Sequence, residues 1–182
     1  MRLFIGVEFP PQILRALAEC QSRLRALSKR GRFKHWDNFH LTLKFLGEVA
    51  AERVPDLTDV LADAAKGLLP FSLELGKLGQ FGQGNPVRVI WIAVGGEIAS
   101  LRGLQASVEL AASTAGFEPE QRPWRPHITL AQDVELTEPA SSWGDRLGDR
   151  AVFRVAEFAL ILSEERDRRR IYTPIHRFTL GG

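Results

Sequence analysis

The sequence predicts an α+β protein built from a duplicated unit of antiparallel strands flanked by helices. Three observations predict it. Strand, helix and two strands follow one another before residue 47, and strand, helix and strand recur from residue 87. The segments His40-Leu41-Thr42-Leu43 and His127-Ile128-Thr129-Leu130 repeat a His-x-Thr-apolar pattern at equivalent places in the two halves. No low-complexity linker parts the halves, so residues 1–182 read as one domain.

Residues 2–9 are apolar and aromatic and end at Pro10-Pro11, which predicts a buried strand followed by a helix start. From Gln12 to Lys29, Ile13, Leu14, Leu17, Leu24 and Leu27 keep helical spacing, with Gly31 as the expected stop. Phe33–Trp36 and His40–Leu46 read as two strands around the turn residues Asp37-Asn38. Val54, Leu57, Val60, Leu61 and Ala64 place a helix over Ala51–Gly67, and Phe71–Leu75 alternates as a strand. Gly76, Gly79, Gly82, Gly84 and Asn85-Pro86 predict a loop. Val87–Val94 is the strongest strand signal, and a helix over Glu97–Ala115 leads to the second motif. Trp143–Arg150 is polar and carries no clear element, whereas Val152–Leu162 and Ile171–Leu180 read as a long hairpin joined by Glu164–Arg170.

Composition bounds the function loosely. With 45% hydrophobic and 25% charged residues in 182, the chain has the makeup of a globular protein. A net charge of +2 permits an anionic partner without requiring one. Cys20 is the only cysteine, which excludes an internal disulfide and a multi-cysteine zinc site and fits a reducing cytosol. Glu8 interrupts the apolar start, and no later stretch has the length of a membrane span, so a cytoplasmic protein away from membranes is expected.

The motifs carry the chemistry. In a strand, residues i and i+2 share a face, so His40 pairs with Thr42 and His127 with Thr129 on one face while the intervening apolar residues take the other. There is no His-x-x-x-His or cysteine pair, and threonine is a poor zinc ligand, so neither metal nor cofactor is expected. No serine sits in a Gly-x-Ser-x-Gly elbow, and Walker-type and dinucleotide-type glycine patterns are absent. Two imidazoles facing one ligand suit phosphodiester cleavage: one removes a proton from the attacking oxygen and the other protonates the departing one. The two hydroxyls would stabilise charge on the non-bridging oxygens.

At this point the chain resembles a known family. Met1-Arg2-Leu3-Phe4-Ile5, Asn38-Phe39-His40-Leu41-Thr42-Leu43-Lys44-Phe45-Leu46-Gly47 and Arg125-Pro126-His127-Ile128-Thr129-Leu130-Ala131, with the closing strand pair, are similar to the RNA 2′,3′-cyclic phosphodiesterases, also called 2′-5′ RNA ligases, of the 2H phosphoesterase superfamily. The resemblance runs almost end to end. It implies a bilobal fold, two pseudo-symmetric lobes with both motifs facing a central cleft, and hydrolysis of RNA ends or nucleotides bearing a 2′,3′-cyclic phosphate, with reversible 2′-5′ joining as a related activity. It further implies His40 as proton donor and His127 as proton acceptor in a protein expected to act as a monomer.

One position departs from the family pattern. Gln132 stands where an arginine that clamps the phosphate is usual, and an amide supplies no charge. Lys44 is i+4 from His40 and so shares its face in a regular strand, whereas Gln132, i+5 from His127, points away unless the strand bulges. Arg125 is a further candidate cation. Phe45 is the expected base-stacking residue, with Trp36, Trp124 and Phe9 as others. Arg166, Arg168, Arg169 and Arg170 are interleaved with acids and read as a solvated loop. A competing class is a nucleotide or RNA-end binding module with reduced or lost catalysis, which the neutral Gln132 favours and the two retained histidines oppose.

Overall fold

In the computed structural model, which describes residues 1–138 and 151–181, two antiparallel sheets carry the two motifs. The expected uncertain segment Trp143–Arg150 lies outside the described residues. The first sheet has the order β3 (Leu41–Glu48), β1 (Arg2–Val7), β8 (Glu157–Arg166), β9 (Arg169–Thr179). The second has the order β2 (Ser28–Phe33), β6 (His127–Leu136), β5 (Val87–Gly96), β4 (Phe71–Phe81), β7 (Val152–Val155). Helix α1 (Pro11–Ala26) packs on β2 and β6, whereas α2 (Val54–Ala65) and α3 (Ile98–Thr114) pack on each other, α2 touching β9 and α3 touching β3 and β4. Among the described residues no helix is long and apolar enough to cross a membrane.

The core follows from the patterning. Leu3, Ile5, Val7, Leu41, Leu43, Leu57, Leu61, Leu101, Leu104, Ile128 and Leu130 are buried in one continuous cluster, and Cys20 is buried within it. Burying a side chain of this size contributes about 1.5–3 kcal/mol, so the helices are fixed by their apolar stripes. A second, small cluster of Phe4, Ala159 and Ile161, with Tyr172 against it, occupies the other face of the first sheet.

Five boundaries differ from the sequence reading, each for a local reason. Helix α1 ends at Ala26, where the Ser28 hydroxyl donates to the Leu24 carbonyl at 2.7 Å, so Gly31 is not its stop. The strand expected at Phe33–Trp36 is instead Ser28–Phe33, a polar edge strand held to β6 by ion pairs of Lys29 and Arg30 with Glu135 and of Arg32 with Asp133. Gly76 and Gly79 lie inside β4 rather than in a loop. At Gly79 an added Cβ would stand 2.2 Å from the Trp91 ring, so glycine is what lets that indole lie across the strand. The strand expected over Val152–Leu162 breaks at Ala156, where the chain leaves the five-stranded sheet and enters the four-stranded one. The expected hairpin forms, but its strands run on through the segment Glu164–Arg170 expected as a loop, to Arg166 and from Arg169, leaving a turn at left-handed Asp167 and Arg168, with Arg166 paired to Glu164 and Arg170 to Glu165.

Candidate active site

Both motifs end in a bulge, and the bulges decide which side chains face the ligand. In β3, Gly6 pairs with Thr42 and Ile5 with Lys44, leaving Leu43 unpaired. In β6, Trp91 pairs with Thr129 and Ile90 with Ala131, leaving Leu130 unpaired. An extra residue reverses the alternation beyond it. Lys44 therefore shares the face of Ile5, and Phe45 the face of Phe4, whose ring lies 4.7 Å from that of His40.

This corrects the expectation that Lys44 shares the His40 face, although Lys44 remains among the residues that line the larger cleft. Its side chain is only 3% exposed, and its amine donates to Glu109 Oε1 at 2.6 Å and to the Glu118 carbonyl at 2.9 Å. It ties α3 to the segment that follows. The same device in β6 brings Gln132, paired with Val89, onto the face of Trp91 and Thr129. Phe45 and Gln132 hold equivalent places in the two motifs.

The two imidazoles are oriented alike. His40 Nδ1 lies 2.8 Å from the Asn38 carbonyl and His127 Nδ1 lies 2.7 Å from the Arg125 carbonyl. A carbonyl only accepts, so each ring carries its proton on Nδ1 and keeps Nε2 as the acceptor. Asn38 is itself anchored, its side-chain amide donating to the Arg170 carbonyl at 2.6 Å. Gln21 of α1 holds the second bulge, its amide donating to the carbonyls of Leu130 and Lys34 at 2.8 Å each. Among the described residues the hydroxyls of Thr42 and Thr129 make no hydrogen bond, which leaves both available to a ligand.

Burial lowers the pKa of His40 from 6.5 to about 4, against the Asn38 carbonyl, which raises it; the positive charges of Lys34 and His127 lower it further. The folded state therefore favours neutral His40. Its contribution to stability is complete above pH 6.5 and is lost as pH falls toward about 4, amounting to about 2–3 kcal/mol by pH 4.5. Urea unfolding at pH 7 and pH 4.5 is expected to show this loss in the native chain and not in His40→Ala; equal losses in both would contradict it.

Thr42, Phe45, Arg125 and His127 line one cleft of about 600 Å³, together with Phe81, Arg88, Trp124 and the segment Glu118–Pro123. His40 borders a smaller recess of about 70 Å³ with Phe39 and Tyr172. A family model described as the 2′-5′ RNA ligase superfamily matches residues 9–167. The chain belongs to that superfamily. The RNA 2′,3′-cyclic phosphodiesterase of Thermus thermophilus is 33% identical, the match covering 100% of this chain and 91% of that protein. The protein of the same name from Aeropyrum pernix is 38% identical over 96 residues, where the chain spans about half the relative's length, 53%. The structure of E. coli LigT complexed with 3′-AMP superposes with a TM-score of 0.82 at 30% identity, covering 98% of this chain and 97% of that one.

Around the two imidazoles of this member of the 2′-5′ RNA ligase superfamily the structure also gathers residues that the sequence pattern does not single out. Phe81 sits edge-on to His127 with ring centres 5.0 Å apart, and Trp91 lies 6.2 Å away. Tyr172 sits edge-on to His40 at 5.0 Å, and Lys34 donates to its hydroxyl at 3.2 Å. These come from strands distant in sequence, and only the β4–β5 and β8–β9 pairings bring them in. Of the expected stacking residues, Phe45 is 72% exposed at the cleft, and Trp124 is held by its indole N–H on the Thr42 carbonyl at 3.1 Å. Phe9 is largely buried against Phe153 and borders the recess of His40, and Trp36 is exposed beside His35 outside the cleft.

Proposed function

We propose that this chain hydrolyses RNA 2′,3′-cyclic phosphate ends to 2′-phosphates by histidine acid–base catalysis without a metal. The activity is the one its relatives are named for, and the chain is accordingly a phosphodiester hydrolase. The carrying observation is the matched pair of imidazoles, on strands of different sheets, each with Nδ1 on the carbonyl two residues earlier and close enough for the charge of one to act on the other.

In the proposed step His127 Nε2 removes a proton from water as its oxygen bonds to phosphorus, the P–O3′ bond breaks, and protonated His40 gives its proton to O3′. His127 suits the base role because its hydrogen bond is solvent-exposed where that of His40 is part-buried. His40 suits the acid role because an imidazolium destabilised by burial is a strong donor, and the phosphate anion restores the proton that burial disfavours. Thr42 and Thr129 donate to the non-bridging oxygens, Phe45 supports the base, and Arg125 and Gln132 complete the anion site. With the 5′-hydroxyl of a second RNA in place of water, the same step opens the cyclic phosphate into a 2′-5′ linkage as the P–O3′ bond breaks and His40 protonates O3′. One domain of two lobes, acting as a cytoplasmic monomer on RNA ends or cyclic nucleotides, fits the passage of the chain between sheets at Ala156 and a sequence whose single cysteine is Cys20.

Incubating the protein with an oligoribonucleotide ending in a 2′,3′-cyclic phosphate, with and without EDTA, tests the reading. A 2′-phosphate product at an unchanged rate is expected; a 3′-phosphate product, or loss of turnover in EDTA, would overturn it.

A further inference from the structure

The reaction builds negative charge on phosphorus oxygens, yet the neutral amide Gln132 stands where an arginine is usual, and the Lys44 amine is held by Glu109. Arg125 lines the cleft beside His127, and the structure offers a second cation whose charge acts on His40. Arg32 stands opposite Gln132 across the β2–β6 pair, and Lys34, two residues further on, shares its face. The backbone of Lys34 is fixed on both sides of the peptide, its N–H donating to the Leu130 carbonyl at 2.9 Å and its own carbonyl accepting from the buried Gln21 amide at 2.8 Å. It is therefore pinned to the bulge that follows Thr129.

The Lys34 amine reaches across to the first sheet, donating to the Tyr172 hydroxyl at 3.2 Å beside the His40 ring. Among the described residues it has no carboxylate partner, whereas the neighbouring Lys29, Arg30 and Arg32 are each paired with an acid. A half-buried cation left without a counter-ion, between the two motifs, is placed to receive an anion.

We propose that Lys34 is the cation that binds the substrate phosphate and stabilises its developing charge, in place of the arginine absent at Gln132. This inference rests on the acid–base reading above. Tyr172 and Gln21 act as positioning residues, holding the amine and the backbone of Lys34 respectively.

The test compares Lys34→Met, Lys34→Arg, Arg125→Gln and the native protein with adenosine 2′,3′-cyclic phosphate as substrate, and measures binding of adenosine 2′-phosphate and of adenosine. Lys34→Met is expected to lower kcat/KM about 10- to 100-fold and to weaken adenosine 2′-phosphate binding while leaving adenosine binding unchanged; Lys34→Arg should recover most of both. Turnover of Lys34→Met within about twofold of the native rate, a parallel loss of adenosine binding, no recovery by arginine, or the larger loss falling on Arg125→Gln would each overturn it. If the native protein does not turn over the substrate at all, the acid–base reading fails, and the two binding measurements still decide the role of Lys34.

Discussion

Replacing either His40 or His127 by alanine is expected to lower kcat on a 2′,3′-cyclic phosphate by about 10³-fold, and the double replacement is expected to lower it little further. The two rings act in one concerted transfer, so removing either partner forfeits most of what the pair provides. Both side chains are half-buried at strand starts, and their ring contacts are with Phe4 and Tyr172 or with Phe81 and Trp91, so truncation should leave the sheets intact. Single-turnover rates, with circular dichroism as the check on folding, would measure this. A folded variant that keeps more than about a tenth of the native rate would contradict a direct proton-transfer role for that residue.

The motifs were legible because alternation in a strand needs no knowledge of the fold: His40 with Thr42 and His127 with Thr129 follow from period two alone. The helices were legible for the same reason, each presenting a buried stripe at a period near 3.6. What escaped the sequence is what depends on register. A bulge is one unpaired residue, and nothing in Thr42-Leu43-Lys44 distinguishes a regular strand from a bulged one, yet that single residue moves Lys44 to the core face and Phe45 to the cleft. Gly79 reads as a loop residue because the reason for it is not local: the Trp91 ring lies across it from the adjoining strand β5, and Gly76 likewise meets Ala93. Lys34 was passed over because its significance lies in Gln21 and Tyr172, from α1 and β9, and in the neutrality of Gln132 on the adjoining strand.

The second large effect is on stability. Lys44→Met is expected to destabilise the fold by about 3 kcal/mol, because it leaves the carboxylate of Glu109 desolvated without its partner. Glu109 Oε2 already has no hydrogen-bond partner among the described residues, and Oε1 would retain only the Glu120 N–H at 3.0 Å. The same amine also holds the Glu118 carbonyl, so the wall of the cleft from Glu118 to Arg125 should loosen, raising KM more than it lowers kcat. A Lys44→Met/Glu109→Leu double variant removes both charges and should return to within about 1 kcal/mol of the native stability, since replacing a buried pair by apolar groups of similar volume is often nearly neutral. Urea unfolding of the three proteins separates the cases. If Lys44→Met instead kept its stability and lost kcat as His40→Ala does, Lys44 would be a phosphate ligand after all, and the strand carrying it would have to run without the bulge at Leu43.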